Sequence, residues 1–501
     1  MKEKLEELKK RFAVVNDLQR AAAVLGWDQQ TYMPPRGASA RAEQLATLQK
    51  LAHEHFIADE NGALLNDLAA SAAQLPYDSD DTSLIRVTKR DYDQAKRVPP
   101  ALVEEMARVA SLAFEAWHHA RAESNFKLFQ PHLEKNVALR IQLANYLGYT
   151  DRIYDALLDQ YEPQMTTAQV EAIFAPLKKE IVALVRKIAH KADAVDAAVL
   201  HREYAEQTQW DFGVQVIKRI GFDFERARQD KSAHPFTTSF ALDDVRITTR
   251  LSKNFLPSAL FGTIHETGHA LYDLGGRAEL DRTPLAGGAS LGAHESQSRL
   301  WENVVGRSRG FWQFWFPRLR ETFPAQLADQ TAESFYRAVN KIAPSFIRVE
   351  ADEVTYGLHI MLRFEMENAL VEGRLQVADV PEAWNAKMKE YLGIVPPDDA
   401  RGCLQDVHWS YGDLGYFATY LLGSMFAVQL YDKATRDVPA IPEQIARGEF
   451  GALLGWLRQN VHTHGRKFTL DELARRVTGE PLQSRSYVAY LKKKFGEIYQ
   501  V

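Results

Sequence analysis

Leu260-Phe261-Gly262-Thr263-Ile264-His265-Glu266-Thr267-Gly268-His269-Ala270-Leu271-Tyr272-Asp273-Leu274-Gly275-Gly276 is the stretch that decides both the fold class and the chemistry. Leu260, Phe261, Ile264, Leu271 and Leu274 recur at the spacing of one helical face, and the glycine pair supplies a stop, so a helix is predicted. On a helix, residues i and i+4 lie one above the other, which lets His265 and His269 direct imidazole nitrogens at one metal ion. Glu266 is offset by about 100° at about 3.6 residues per turn. That offset keeps it out of the ligand set but within reach of a metal-activated water, where a carboxylate serves as general base. The competing reading is a chance HExxH, expected in on the order of a few per cent of chains this long, on a helix whose histidines are solvated or in the core. The helical context of the motif favours the metal.

A third ligand must come from downstream. Zincins of the HExxHxxGxxH kind are excluded, because Tyr272 and Gly275 stand at the required positions. A carboxylate from a later helix is the other common solution. Glu295, in Leu291-Gly292-Ala293-His294-Glu295-Ser296-Gln297-Ser298-Arg299, is the first candidate, with Gly287-Gly288 as the turn that brings its helix back. Glu302 is the second, and Glu279 and Asp281 in a predicted loop are weaker. His294 cannot share the face of Glu295, since adjacent helical residues diverge.

The chain has 501 residues, a formal charge of −5 and one cysteine, Cys403. A lone cysteine excludes an intrachain disulfide framework and fits a reducing compartment, so a cytoplasmic protein is expected. The charged start Met1-Lys2-Glu3-Lys4-Leu5 has no apolar core of a secretory signal. The most apolar long segment, Tyr416 to Tyr431, carries Thr419, Gly423, Ser424 and Gln429, and reads as a buried helix rather than a membrane span. No basic domain or Lys/Arg stripe points to nucleic acid.

No linker or low-complexity tract divides the sequence, so one large, mainly α catalytic domain over 1–501 is the simplest organisation. Leu5, Leu8, Phe12, Val15, Leu18, Ala22 and Leu25 define an amphipathic first helix. Pro99-Pro100 opens another bearing Met106, Val109, Ala113 and Trp117, and Thr166-Thr167-Ala168-Gln169 forms a capping box for a third. Helical periodicity breaks at His234 to Phe240 and Asp243 to Thr249, which alternate and favour β-branched or aromatic residues. They predict a hairpin turning at Asp243-Asp244: either a small structural sheet, or an edge onto which an extended peptide adds.

Taken together, HPFTTSF (234–240), DVRITT (244–249), HETGH (265–269), HES (294–296), IRVEADEVTY (347–356) and LQDVHWSYGDLGYF (404–417) resemble the carboxypeptidase Taq family of thermostable metallocarboxypeptidases. WDQQTYMPP (27–35) and RAEQLATL (41–48) extend the resemblance over nearly the whole chain. The resemblance implies a helical, two-lobed enzyme with a deep groove and a small sheet beside the HExxH helix, the N-terminal helices of about 1–75 being read as a cover over the groove. It implies a homodimer that removes C-terminal amino acids with broad specificity from peptides bearing a free C terminus. It also implies zinc on His265, His269 and Glu295, with Glu266 as base; Co²⁺ or Mn²⁺ suit the same ligands.

A helix predicted from Ser345 to Glu372 would align Arg348, Asp352, Thr355 and His359 in one polar stripe, and the resemblance implies that this stripe borders the groove. Arg348 is the candidate for the substrate carboxylate, because a guanidinium offers a planar fork for two oxygens; the alternative is a helix ion pair with Asp352. His408 and Tyr420 are candidates for stabilising an oxyanion, and Tyr416 for binding substrate, each against the alternative of an ordinary buried ring. Arg246 either shapes the groove or pairs with Asp244. Two rival functions are an HExxH oligopeptidase or endopeptidase, and an inactive, metal-retaining peptide-binding scaffold.

Overall fold

The computed structural model describes residues 1–72 and 74–501. It is mainly helical, with one three-stranded sheet among the described residues. The chain forms two compact units, one of Met1–Lys96, Ala197–Val339 and Gln429–Pro481, the other of Arg97–Asp196, Asn340–Val428 and Leu482–Val501. Among the described residues no helix is long and apolar enough to cross a membrane.

In the first unit, the opening helix Lys2–Thr31 buries Leu5, Leu8, Phe12, Val15, Ala22 and Trp27, following the predicted stripe. Leu5, Leu8 and Phe12 enter a core with Leu65, Leu68, Leu84 and Ile85, joined by Leu280 and Leu285 from the segment after the HExxH helix. The sheet has the order β1-β3-β2, with β1 (Ala227–Lys231) parallel to β3 (Asp244–Thr249) and β2 (Thr237–Ala241) antiparallel to it. β2 and β3 are the predicted hairpin. β1 escaped the sequence reading because Ala-Arg-Gln-Asp-Lys has no apolar alternation; its buried positions include Gln229 and Asp230.

Val245 and Ile247 of β3 pack with Ala270 and Leu274 of the Leu256–Leu274 helix. Complete burial of such side chains contributes about 1.5–3 kcal/mol each, so the sheet is a firm backing for that helix. Arg246, between those two inward residues, pairs with Asp244 at 3.0 Å and lies over the ring of Trp27. Its structural alternative is the one observed.

The second unit contains the helix Pro100–Ala122, opened by proline as expected, and Thr167–Ala189, whose capping box of Thr166 and Gln169 is formed. The predicted 345–372 helix is corrected here: Arg348–Glu350 is a short 3-10 turn and the α-helix runs from Tyr356 to Val371. Asp352 is the cause, because its carboxylate accepts the backbone N–H groups of Val354 and Thr355 and the hydroxyl of Thr355, which starts the helix there. His359 is wholly buried, so the polar stripe proposed from Arg348 to His359 does not exist as one helical face.

Candidate metal centre

The Leu256–Leu274 helix carries His265, Glu266 and His269, and ends at Gly275 as the sequence indicates. Gly287, at φ +94°, lies in the return, and the hydroxyl of Ser290 accepts the N–H of Ala293 to start the helix Leu291–Arg299. The two helices meet at Gly268. A Cβ there would lie 2.6 Å from the carbonyl oxygen of Gln297 and 2.6 Å from the Cα of Ser298. Only glycine lets the second helix come close enough to place Glu295 over the two imidazoles.

The ligand atoms of His265, His269 and Glu295 all lie within 4.8 Å of one another. One oxygen of Glu295, Oε2, is 3.6 Å from Nε2 of His265 and 3.4 Å from Nε2 of His269. Each imidazole is tied on its far side. His265 Nδ1 is 2.9 Å from Glu302 Oε2, and His269 Nδ1 is 2.7 Å from Nδ1 of His294, whose Nε2 is 3.1 Å from Asp273. Glu302 therefore lies behind His265, on its Nδ1 side, and not among the three converging ligand atoms. It arrives there on a π-helical segment, Leu300–Val305, that continues the Glu295 helix. Such turns recur at functional sites.

Glu295 is itself positioned by Arg299, which donates to Oε1 at 2.6 Å, and by the hydroxyl of Ser298, which donates to Oε2 at 2.9 Å. Burial pushes its carboxyl upward, but Arg299 and the two imidazoles outweigh that and hold it well below the usual carboxylate range. Glu302 behaves alike, burial being overcome by His265, Arg299 and Arg307, and falls to about 2. For His265 burial lowers the pKa, yet Glu295 and Glu302 raise it above the ordinary value. His269 is instead lowered, chiefly by burial, with His294 and His265 adding to the effect against Glu295.

These groups fit a divalent cation. With an N–H on each Nδ1 facing Glu302 and His294, both Nε2 atoms present lone pairs toward an ionised oxygen of Glu295. Two acceptors and an anion thus converge where a positive charge is required. Two neutral imidazoles and one carboxylate are also a common catalytic zinc donor set. Glu266, nearly buried, stays outside this trio; the hydroxyl of Thr237 on strand β2 donates to its Oε2 at 2.7 Å and to its backbone oxygen at 3.0 Å.

Arg348, His408, Tyr416 and Tyr420 form a separate cluster in the second unit. Arg348 donates to Asp406 through Nε at 3.1 Å and Nη2 at 2.8 Å, and to the hydroxyl of Tyr356 at 3.1 Å. Its partner is Asp406, not the Asp352 of the sequence alternative. Asp406 also accepts from the wholly buried Arg363 at 2.6 Å. Burial raises the carboxyl of Asp406, but the two guanidinium groups prevail and keep it ionised far below its normal range. His408 lies against Tyr416 and Phe417, with ring centroids 5.3 and 4.6 Å away, and its Nε2 is 3.5 Å from the hydroxyl of Tyr420. Burial, against the pull of Asp406 and with the repulsion of Arg348 and Arg363, lowers its pKa to about 4, so it is neutral at ordinary pH.

Sequence reasoning missed Asp273, Arg299 and Thr237. The first two carry a legible signal, since Asp273 lies at i+4 from His269 and Arg299 at i+4 from Glu295, each on the same helix, whereas Thr237 reaches Glu266 only through the tertiary fold.

Residues 7–495 match the carboxypeptidase Taq (M32) metallopeptidase family. The chain is 41% identical to thermostable carboxypeptidase 1 of Thermus thermophilus, over 95% of each chain. It is 37% identical to carboxypeptidase 1 of Bacillus subtilis, over 97% of this chain and 96% of that one. Among solved structures it is similar to the M32 carboxypeptidase of Deinococcus radiodurans, with a TM-score of 0.96 and 40% identity over 100% of both chains. It is also similar to metallocarboxypeptidase 1 of Trypanosoma cruzi, with a TM-score of 0.94 and 33% identity over 99% of this chain and 100% of that one.

Proposed function

The chain belongs to the carboxypeptidase Taq (M32) metallopeptidase family and is a metallocarboxypeptidase that hydrolyses peptides, and from that premise we propose that its centre is His265, His269 and Glu295 holding zinc, with Glu266 as general base. The observation that carries this reading is the convergence of three ligand atoms within 4.8 Å of one another. Co²⁺ or Mn²⁺ suit the same donors. A divalent ion there supplies a Lewis acid that polarises the scissile carbonyl and acidifies a water.

Glu266 accepts the proton shed by the attacking water and passes it to the departing amine nitrogen. The Thr237 hydroxyl occupies Oε2 and fixes the rotation of this carboxylate, so Oε1 is the oxygen that carries the proton. Arg348 receives the substrate's terminal carboxylate. Asp406 and Tyr356 take three of its five N–H donors, and the remaining two suffice for one carboxylate. Neutral His408 and Tyr420 act as hydrogen-bond donors to the developing oxyanion, and Tyr416 packs against the substrate. The whole chain, 1–501, serves as one catalytic domain of broad specificity, working in the cytoplasm as a homodimer.

A peptide with a free C terminus, compared with its amidated twin, tests the carboxylate reading. Charged hydrogen bonds are worth about 1.5–3 kcal/mol, so amidation is expected to lower kcat/KM by about 10–100-fold. Equal rates would make the protein an oligopeptidase or endopeptidase, and failure to release any single C-terminal residue would leave only a peptide-binding scaffold.

A further inference from the structure

His269 and Asp273 stand one turn apart on the same helix, and the ring of His294 bridges them, at 2.7 Å from His269 Nδ1 and 3.1 Å from Asp273 Oδ1. Two imidazole nitrogens at that separation share a single hydrogen. If a neutral His294 supplied it, its Nε2 would turn a lone pair toward the Asp273 carboxylate, and whether His294 were neutral or doubly protonated, His269 would carry its own hydrogen on Nε2, where Glu295 lies 3.4 Å away. If His269 supplies it, every contact is a donor facing an acceptor: His269 Nδ1–H to His294, then His294 Nε2–H to Asp273. With the Nε2 lone pair of His269 turned to a cation, as the metal reading requires, only the second arrangement puts a donor against an acceptor at every contact, because the Asp273 carboxylate only accepts.

We infer that Asp273 and His294 are positioning residues that lock His269 in the tautomer with a free Nε2. Asp273 acts on the ligand one ring removed, whereas Glu302 acts on His265 directly at 2.9 Å. The relay ring cannot swing away. Tyr272 packs against it at a centroid distance of 5.2 Å, and a Cβ on Gly288 would sit 2.9 Å from its Cδ2. His294 therefore has a use that its position beside Glu295 does not suggest, since it faces away from the ion and still governs one of its ligands. Outer-shell partners of ligating histidines set ring orientation and tautomer, and their loss weakens metal binding by about 10–100-fold.

The inference rests on His269 being a ligand, and the test separates the two. Zinc affinity is measured by chelator competition, and the visible spectrum is recorded with cobalt, for wild type, Asp273→Asn and His294→Phe, alongside the melting point of each metal-free protein. Asp273→Asn can turn its amide N–H toward His294 Nε2, which favours the wrong tautomer. The expected result is about 10–100-fold weaker zinc binding and an altered cobalt spectrum, with the metal-free melting point of Asp273→Asn unchanged. Wild-type affinity in both variants overturns the relay, and so does weaker binding that only tracks a fall in metal-free stability. Absence of a bound ion in the wild type would instead overturn the metal reading itself.

Discussion

Replacing the two glycines of the HExxH helix by alanine should have opposite consequences. Both lie in the interior of Leu256–Leu274, where Gly→Ala raises helix stability by about 1 kcal/mol when the methyl has room. At Gly262 the nearest atom to the added Cβ is Cγ of Pro235 at 3.9 Å, an ordinary contact. Gly262→Ala is therefore expected to stabilise by roughly 0.5–1 kcal/mol. At Gly268 the methyl would meet backbone at 2.6 Å, and backbone cannot rotate out of the way as a side chain can. The neighbouring helix must retreat by roughly 0.8 Å to reach normal contact, and overpacking of this kind costs about 1–3 kcal/mol. The propensity gain is common to both, so the two variants should differ by the overpacking cost, about 1–3 kcal/mol, in urea unfolding of the metal-free protein. The same retreat carries Glu295 away from both imidazoles, so Gly268→Ala should also bind zinc more weakly while Gly262→Ala binds it normally. Equal stability and equal zinc affinity in the two variants would refute the argument that glycine sets the spacing of the ligand helices.

Glu266→Gln should keep its full zinc content and lose about 10²–10⁴-fold in kcat, measured by zinc analysis beside peptide hydrolysis; unchanged turnover would remove the general base. A pH effect is expected at Glu367, wholly buried, which accepts from Tyr154, Trp409 and the N–H of Gly415. Burial outweighs those donors and raises its pKa from 4.5 to about 7. The folded state thus favours the protonated acid, so its contribution is complete below pH 4.5 and lost as pH rises to about 7, a change on the order of 3 kcal/mol. Urea midpoints taken across that window should fall less steeply with pH in Glu367→Gln than in wild type, and parallel curves would contradict the assignment.

The grouping of His265, His269 and Glu295 was legible in the sequence because most of it is local. His265 and His269 are related by helical geometry alone, and Gly287 before Ser290 announces the return of Glu295. What escaped is mostly what tertiary packing decides. β1 is polar and joins the sheet through backbone pairing with β3, which leaves no apolar alternation to read. The helix expected from Ser345 begins late because the Asp352 side chain competes for backbone N–H groups. The partner of Arg348 proved to be Asp406, distant in sequence, where only the i+4 carboxylate could be suggested. Glu302 was seen as a ligand candidate, and the π-helical turn that swings it behind His265 has no signature in composition or spacing.

Anomalous scattering at the zinc edge from crystals of the metal-loaded protein tests the central assignment most directly. One strong peak is expected about 2.0–2.2 Å from Nε2 of His265, Nε2 of His269 and a carboxylate oxygen of Glu295. A peak elsewhere, or one liganded by Glu302 in place of Glu295, would contradict it.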